Sequence, residues 1–412
     1  MITSVKILFL LFLIEPIISF LLFPIYVPEI FSIITVVVFL IFLVKSEKKI
    51  ILLTEDYLIT LYFIYLIFWS FNNNKEFSLL VPSSIAHYFF SYLFIQIPIM
   101  RIIIRNIQID EKFISLAVNI IKVTIIISLY VSLVQVIDID FHNPTNLLSV
   151  SGNQNEFEQL SILEDINTSR RPSIFAYYDS NGAGFSFLPI FSVFLGFILI
   201  NKQTKIFNLF LIVASIIVLF LTNTRYIIFG VFLVLLQIIF TSKNSKILSI
   251  FKLSFALILI LVTSYEVFNL LGYSLDTYFE DRLFSESSNS SRIDAYSVFL
   301  IFFPPNWLLG LGVHVNDEII KATGGVESIH VGYLSHLVEF GTVGTILLIL
   351  YYFRIIKDSF IKAKKTKYWG TYFVFIIFLW ANISLVNYTF FYPGFIIALL
   401  FEQYYSSNVK KI

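Results

Sequence analysis

The chain has 412 residues, of which 58% are hydrophobic and only 13% charged. Soluble domains carry about a quarter charged residues, so this balance, with a mean hydropathy of +0.86, excludes an ordinary soluble fold. The net charge of +1 gives no basis for nucleic-acid binding, and the absence of cysteine excludes disulfides, thiolate nucleophiles and Cys-bound metals.

Roughly 20 apolar residues cross a bilayer. By that measure the sequence predicts about twelve transmembrane helices, near 6–23, 29–45, 51–71, 79–103, 112–137, 184–201, 205–222, 226–240, 248–271, 331–353, 368–386 and 388–405. The first begins at Lys6 with no small-residue cleavage site, so it reads as a retained span rather than a cleaved signal. The last two require a tight hairpin near Asn387. Aromatic residues make up 18% of the chain, as lipid-facing surfaces and interfacial belts favour.

Cytoplasmic loops are enriched in Lys and Arg. The basic clusters here are Lys45/Lys48/Lys49, Arg101/Arg105/Lys112, Lys202/Lys205, Lys243/Lys246, Arg354 to Lys367 and Lys410/Lys411. They recur at every second loop, which puts both termini in the cytoplasm. The expected organisation is a five-span region over 1–137, an external loop over 138–183, a four-span region over 184–271, a second external loop over 272–330 with short surface helices, and a three-span region over 331–412 with a cytoplasmic tail. The fold class is therefore an all-α integral membrane protein with two large external loops.

External loops should be poor in Arg and Lys, so Lys75, Arg170, Arg171, Arg225, Arg282, Arg292 and Lys321 stand out. Arginine presents a planar fork of donors that matches phosphate and carboxylate. Arg170 and Arg282 are read equally well as partners of loop acids. Arg171 opens a segment that ends in Asn181, Gly182 and Gly184 at the entry to a span, where glycine permits close backbone approach. Arg225 lies between two spans with almost no loop. A charge there is costly and usually faces a cavity or a partner.

Asp138 and Asp140 form an Asp-x-Asp at the outer end of a span, a weak metal signal on the side that lacks nucleotide sugars. Further on, Ser291 and Asp294 have capping-box spacing, so a helix is expected to start at Arg292, where free N–H groups favour an anion. Ile293, Tyr296, Leu300 and Phe303 would share one face along the membrane surface, and Pro304 and Pro305 would end it. Gly310-x-Gly312 follows, then His314 and His330, then Tyr333, His336 and Glu339 on the next span. His330 at the point of re-entry is the candidate base, with His314 as competitor. No phosphate-binding loop, nucleophile elbow or zinc pattern is present in the sequence.

The ordered set runs from an arginine before Asn-Gly, through Thr224-Arg225 and an arginine opening a helix before Gly-x-Gly, to a late histidine before Glu-x-Gly-x-x-Gly. In that order it resembles the O-antigen polymerase and O-antigen ligase family. The sequence departs at His330-Val-Gly-Tyr333, where the family often has His-Asn-x-Tyr, and at Ser180-Asn181, where it often has Pro-Asn. The resemblance implies a GT-C-like inverting glycosyltransferase acting on an undecaprenyl-diphosphate-linked oligosaccharide at the outer face of the bacterial inner membrane. It makes O-antigen or capsular polysaccharide, or transfers glycan to the lipid A core of lipopolysaccharide.

His330 would be the catalytic base, and Arg171, Arg225 and Arg292 would bind diphosphate. Asn181, Tyr333 and Glu339 are substrate-binding candidates. No metal or cofactor is implied, because the diphosphate linkage carries the activation. The implied partners are the lipid-linked glycan, membrane lipid and a chain-length regulator. A flippase or other transporter is the rival from a different class; it would concentrate charge in mid-span sites or broken helices.

Overall fold

The structure is a computed structural model. It describes residues 2–21, 28–45, 50–73, 96–138, 141, 180–203, 205–222, 225–241, 254, 258, 262, 265, 296–311, 331–383 and 393–409. These residues are helical or connecting, with no strand among them. The helices are α1 (Ile2–Leu21), α2 (Pro28–Lys45), α3 (Thr54–Asn73), α4 (Gln96–Arg105), α5 (Glu111–Ile137), α6 (Ser180–Asn201), α7 (Ile206–Leu221), α8 (Arg225–Leu235), α9 (Gln237–Thr241), α10 (Gly332–Thr366), α11 (Gly370–Ala381) and α12 (Pro393–Val409). A short helix over 296–302 runs into a 3-10 turn at Pro304–Asn306.

Every expected span except 248–271 coincides, at least in part, with one of these helices. Of 248–271 only four residues are described, each helical, and the hairpin near Asn387 lies outside the described residues. Among the described residues, α5 and α10 are both long and apolar enough to cross a hydrocarbon core. The apolar helical runs over 186–201, 206–221, 226–241 and 370–381 are shorter.

The outward faces explain why so apolar a chain makes these elements. Ile137 and Ile206 are 84% and 87% exposed, and Phe68, Phe353 and Leu300 are also turned outward. A helix in water hides such residues on one stripe; helices apolar inside and out suit a bilayer. The core centres on α6, where Phe187, Leu188, Phe191 and Phe194 are all buried. It packs against α7, α8, α11 and α12. A helix apolar all round is stable only when enclosed in this way.

α10 overshoots its expected end. It spans 35 residues in two parts broken at Gly341, and the second part continues past 353 to Thr366. The surplus carries the basic run from Arg354 and stops at Lys367, whose left-handed φ of 64° ends the helix.

A polar cluster closes this end of the bundle. Arg101 on α4 is 3.1 Å from Glu55 on α3 and 3.7 Å from Asp358 on α10. Arg105 is 2.6 Å from Asp56. Lys362 reaches Asp358 at 2.7 Å and Glu402 on α12 at 3.0 Å, and Ser359 donates to Glu402 at 2.6 Å. Arg101 and Arg105, which the sequence offers only as part of a basic cluster, are therefore paired inside the bundle. They sit in a helix and bind the first turn of α3, because buried charges must be paired.

A candidate site at one end of the bundle

The expected site residues divide by where they fall. Arg171, Arg292 and His330 lie outside the described residues, as do Asp140 and His314. Asn181 and Arg225 are placed by their backbone, in the first turn of α6 and at the first residue of α8. Tyr333 and Glu339 are placed in full, both on α10.

The two motifs carrying Asn181 and Arg225 meet. A Cβ at Gly184 would stand 1.9 Å from the Ile227 side chain and 3.2 Å from the Thr222 hydroxyl. Glycine lets the start of α6 approach the start of α8 without moving the Ile227 side chain. The expectation of close backbone approach at this Gly-rich entry thus has a specific partner. One turn along α8 from Arg225, Phe229 packs on Trp380 of α11, ring centroids 4.1 Å apart. The neighbouring carbonyl of Leu379 accepts a 2.6 Å hydrogen bond from the Tyr333 hydroxyl. Tyr333 therefore ties α10 to α11, and the starts of α6, α8 and α10 and the end of α11 form one rim.

The described part of the segment expected as the second external loop packs into this end of the bundle. Trp307-Leu-Leu-Gly310-Leu311 packs into a break in α10. Gly341 sits inside that helix with φ 59° and ψ −169°, and Gly310 has φ 78°. The break frees backbone groups that a helix would pair, and three of them find partners on the loop. Thr342 N–H donates to Trp307 O at 2.8 Å, Val343 N–H to Leu308 O at 3.1 Å, and Leu311 N–H to Val338 O at 2.8 Å. Non-helical backbone at membrane depth is tolerated only when protein satisfies it in this way. The run from Trp307 to Leu311, four of whose five residues are leucine or tryptophan and the fifth glycine, has the apolar content to enter there.

α3 holds the inserted segment from the other side. Its Tyr65 hydroxyl donates to Leu309 O at 2.6 Å and to Phe340 O at 2.9 Å. Trp69 Nε1 donates to Gly310 O at 3.2 Å. One turn before Tyr65, the Tyr62 hydroxyl lies 3.4 Å from His336 Nε2, the two rings stacked. His336 and Glu339 are each only 3% exposed. The Glu339 carboxylate accepts from Ser335 at 3.0 Å, so it is held within the bundle rather than offered at the surface. Tyr62, Tyr65 and Trp69 were not singled out in the sequence. Their 3-4 spacing on one face of a span was the available signal, hidden among other aromatic residues.

The short helix over 296–302 bears out a surface position only in part. Tyr296 and Leu300 are exposed, as is Ile301. Val298 is buried against Val338 of α10, and Phe303 turns with the packed side. The face expected to be common to Tyr296, Leu300 and Phe303 is therefore split, because the Pro304 turn rotates Phe303 inward toward α10.

Below Tyr333 and His336, a cavity of about 270 Å³ opens between α10 and α11. Among the described residues no group of three or more His, Asp or Glu side chains gathers as a metal site would.

A family model described as O-antigen ligase matches residues 210–349, about a third of the chain. The matched stretch takes in Arg225, Arg292, Gly310, His330, Tyr333, Glu339 and Gly341, and leaves Arg171 and Asn181 outside. It supports the O-antigen ligase and polymerase family drawn from the ordered arginines and the late histidine. No curated protein matches the chain.

Proposed function

We propose, from the match of residues 210–349 to the O-antigen ligase family, that this chain is a membrane glycosyltransferase joining undecaprenyl-diphosphate-linked repeat units into polysaccharide. It crosses the bacterial inner membrane about twelve times, with both termini cytoplasmic and the site on the outer face. The observation that carries the reading is that one matched stretch contains Arg225, Arg292 and His330, and its described parts meet at a single end of the bundle.

In the reaction, a hydroxyl of the incoming lipid-linked unit attacks the anomeric carbon of the growing glycan. The bond from that carbon to the diphosphate breaks, and undecaprenyl diphosphate leaves with the electron pair. His330 takes the proton of the attacking hydroxyl, a role typically worth about 10²–10⁴-fold. Arg171, Arg225 and Arg292 hold the diphosphate and offset the charge that grows on it, usually the largest catalytic effect. Attack from the face opposite the leaving group inverts the anomeric centre. Substrate-binding roles for Asn181, Tyr333 and Glu339 belong to this proposal, with Tyr333 exposed at the rim and Glu339 buried behind it. A polysaccharide chain-length regulator is the proposed protein partner.

A second reading has a specific observation in its favour: the matching family is described as a ligase. Ligation to lipid A core uses the same donor chemistry and changes only the acceptor. Membranes holding the chain, a defined undecaprenyl-diphosphate repeat unit and no other enzyme test both. A product ladder that vanishes in His330→Ala supports the polymerase. Product only after lipid A core is added supports the ligase. Neither product, with the lipid-linked unit moved across the bilayer, means a transporter and overturns both.

A further inference from the structure

The polar cluster that joins α3, α4, α10 and α12 borders a small cavity. Its polar lining is Arg101 and Arg105 of α4, Lys362 of α10, and Glu402 and Gln403 of α12. At about 20 Å³ it exceeds the ~10–15 Å³ that one water-sized atom needs. Three of these groups are cations. The one lining carboxylate, Glu402, has both oxygens engaged already, by Ser359 at 2.6 Å and by Lys362 at 3.0 Å. Arg101 is 6% exposed. Its Nη2 faces Glu55 and Asp358, while its Nη1 is buried with no hydrogen-bond partner. A charged donor buried without an acceptor is costly, so an acceptor that enters beside Arg101 is favoured.

We infer that this cavity receives an oxygen of a phosphoryl group, carried by an anionic lipid head group or by free phosphate. It does not rest on the reaction proposed above. Two guanidinium forks and an ammonium converging on one small space are the donor set that phosphate oxygens take. The cluster as a whole sets three cations against Glu55, Asp56, Asp358 and Glu402, but of these carboxylates only Glu402 lines the cavity. Arg354, Lys357, Lys364, Lys365 and Lys367 follow on the same stretch of α10 and make the field at this end positive. The surroundings favour the lipid source. Arg105 Nη1 also donates to Ile51 O at 3.3 Å, and Ile51, Leu52 and Leu53 are exposed. An apolar lip thus stands beside the cavity, where acyl chains lie when a head group is bound. Basic pockets between membrane helices at the cytoplasmic side, where this basic run is expected, take acidic head groups in this way.

The test uses the full chain in nanodiscs of equal phosphatidylglycerol and phosphatidylcholine, with lipid retained on the released protein read by native mass spectrometry. A second arm, in detergent without lipid, compares the midpoint of thermal unfolding in inorganic phosphate and in sodium chloride at matched ionic strength. Gln403→Glu places a carboxylate at the cavity, keeps nearly the same shape and touches none of the ion pairs. Arg105→Lys keeps a cation for Asp56 but loses the fork. Lys364→Glu, exposed and outside the lining, removes more positive charge from the same end and is the control. Phosphatidylglycerol should be enriched severalfold in wild type and in Lys364→Glu, reduced in Arg105→Lys and not enriched in Gln403→Glu. No lipid preference, with a midpoint raised by phosphate in wild type but not in Gln403→Glu, assigns the site to free phosphate. Neither effect in wild type means that the cavity takes water alone and overturns the inference. Enrichment unchanged in both Gln403→Glu and Arg105→Lys overturns it too. So does enrichment lost equally in Lys364→Glu, which would mean a general attraction to the basic surface. Where Gln403→Glu does not fold, Arg105→Lys decides between the same outcomes.

Discussion

Gly310 and Gly341, 31 residues apart in sequence, meet backbone to backbone in left-handed conformations. A Cβ on Gly310 would lie 2.4 Å from Glu339 O, and one on Gly341 would lie 2.5 Å from Gly310 N. This contact anchors the C-terminal part of the second loop to the helix on which Tyr333, His336 and Glu339 sit. It also fixes the ends between which residues 312–330, including His330, are strung.

Alanine at either glycine should therefore disable the protein without removing it from the membrane. A non-glycine residue at positive φ costs on the order of 1–3 kcal/mol, and here the methyl also meets main-chain atoms, which cannot swing aside. Gly310→Ala and Gly341→Ala should each lower the midpoint of thermal unfolding and abolish glycan product. Gly312→Ala, outside the described residues, is the informative comparison for the Gly-x-Gly motif. Wild-type product in Gly341→Ala would mean that the dock is not needed for the chemistry.

Much of the helical framework was legible because apolar runs of span length have few other folds open to them. The overshoot of α10 was not, since its last turns from Arg354 onward are polar and are held by Lys362, Asp358 and Glu402 rather than by hydrophobicity. Nor was the break at Gly341. A glycine in a span reads as continued helix, and what distorts it is a loop far away in sequence. The partner of Arg101 was not legible either: charge counts along a chain report topology, while Glu55 is brought to it only by packing of α3 on α4. The meeting of the Asn181 and Arg225 motifs could be suspected from Gly184 but needed Ile227 to specify it.

The buried pair at the other end makes a different prediction. The Arg101 and Glu55 side chains are 5% and 9% exposed. Removing one partner strands a buried charge, which typically costs about 3–5 kcal/mol. Arg101→Met should destabilise strongly, and adding Glu55→Leu should recover most of the loss. Thermal unfolding of the single and double variants in detergent measures this. A double variant no more stable than the single one would show that Asp358, 3.7 Å from Arg101, is the partner that matters.

Asp110 caps α5 by accepting from Phe113 N–H at 2.7 Å, and Lys6 of α1 binds the same carboxylate. The Lys6 hydrogen bond first, and then the Phe113 N–H, hold its carboxyl below the usual range. A lowered folded value means that the contribution is present above the unfolded value and is lost as pH falls through the folded one. Asp110→Ala should cost about 0.5–2 kcal/mol at neutral pH, the usual range for a cap, and the difference from wild type should shrink below about pH 4. Unfolding midpoints compared at pH 7 and pH 3 decide this. A constant difference would assign the loss to packing.

Tyr65 separates a dock that serves the site from one that merely fills space. Its single hydroxyl serves two carbonyls, Leu309 O on the inserted segment and Phe340 O just before the break. Tyr65→Phe keeps the ring and removes only that donor. Buried acceptors left without a partner cost about 1–3 kcal/mol, small against a whole membrane protein but concentrated on the joint between loop and helix. The variant should therefore stay folded, with amide exchange faster at Leu311, Thr342 and Val343, whose N–H groups pair across the joint. Exchange at the Arg101 end of α3 and α10 should not change. Under the proposed function, glycan product should fall in step with the loosened joint. If exchange rises while product is unchanged, the joint is structural and the loop finds its active position without it; if neither moves, ring packing of Tyr65 alone holds the segment.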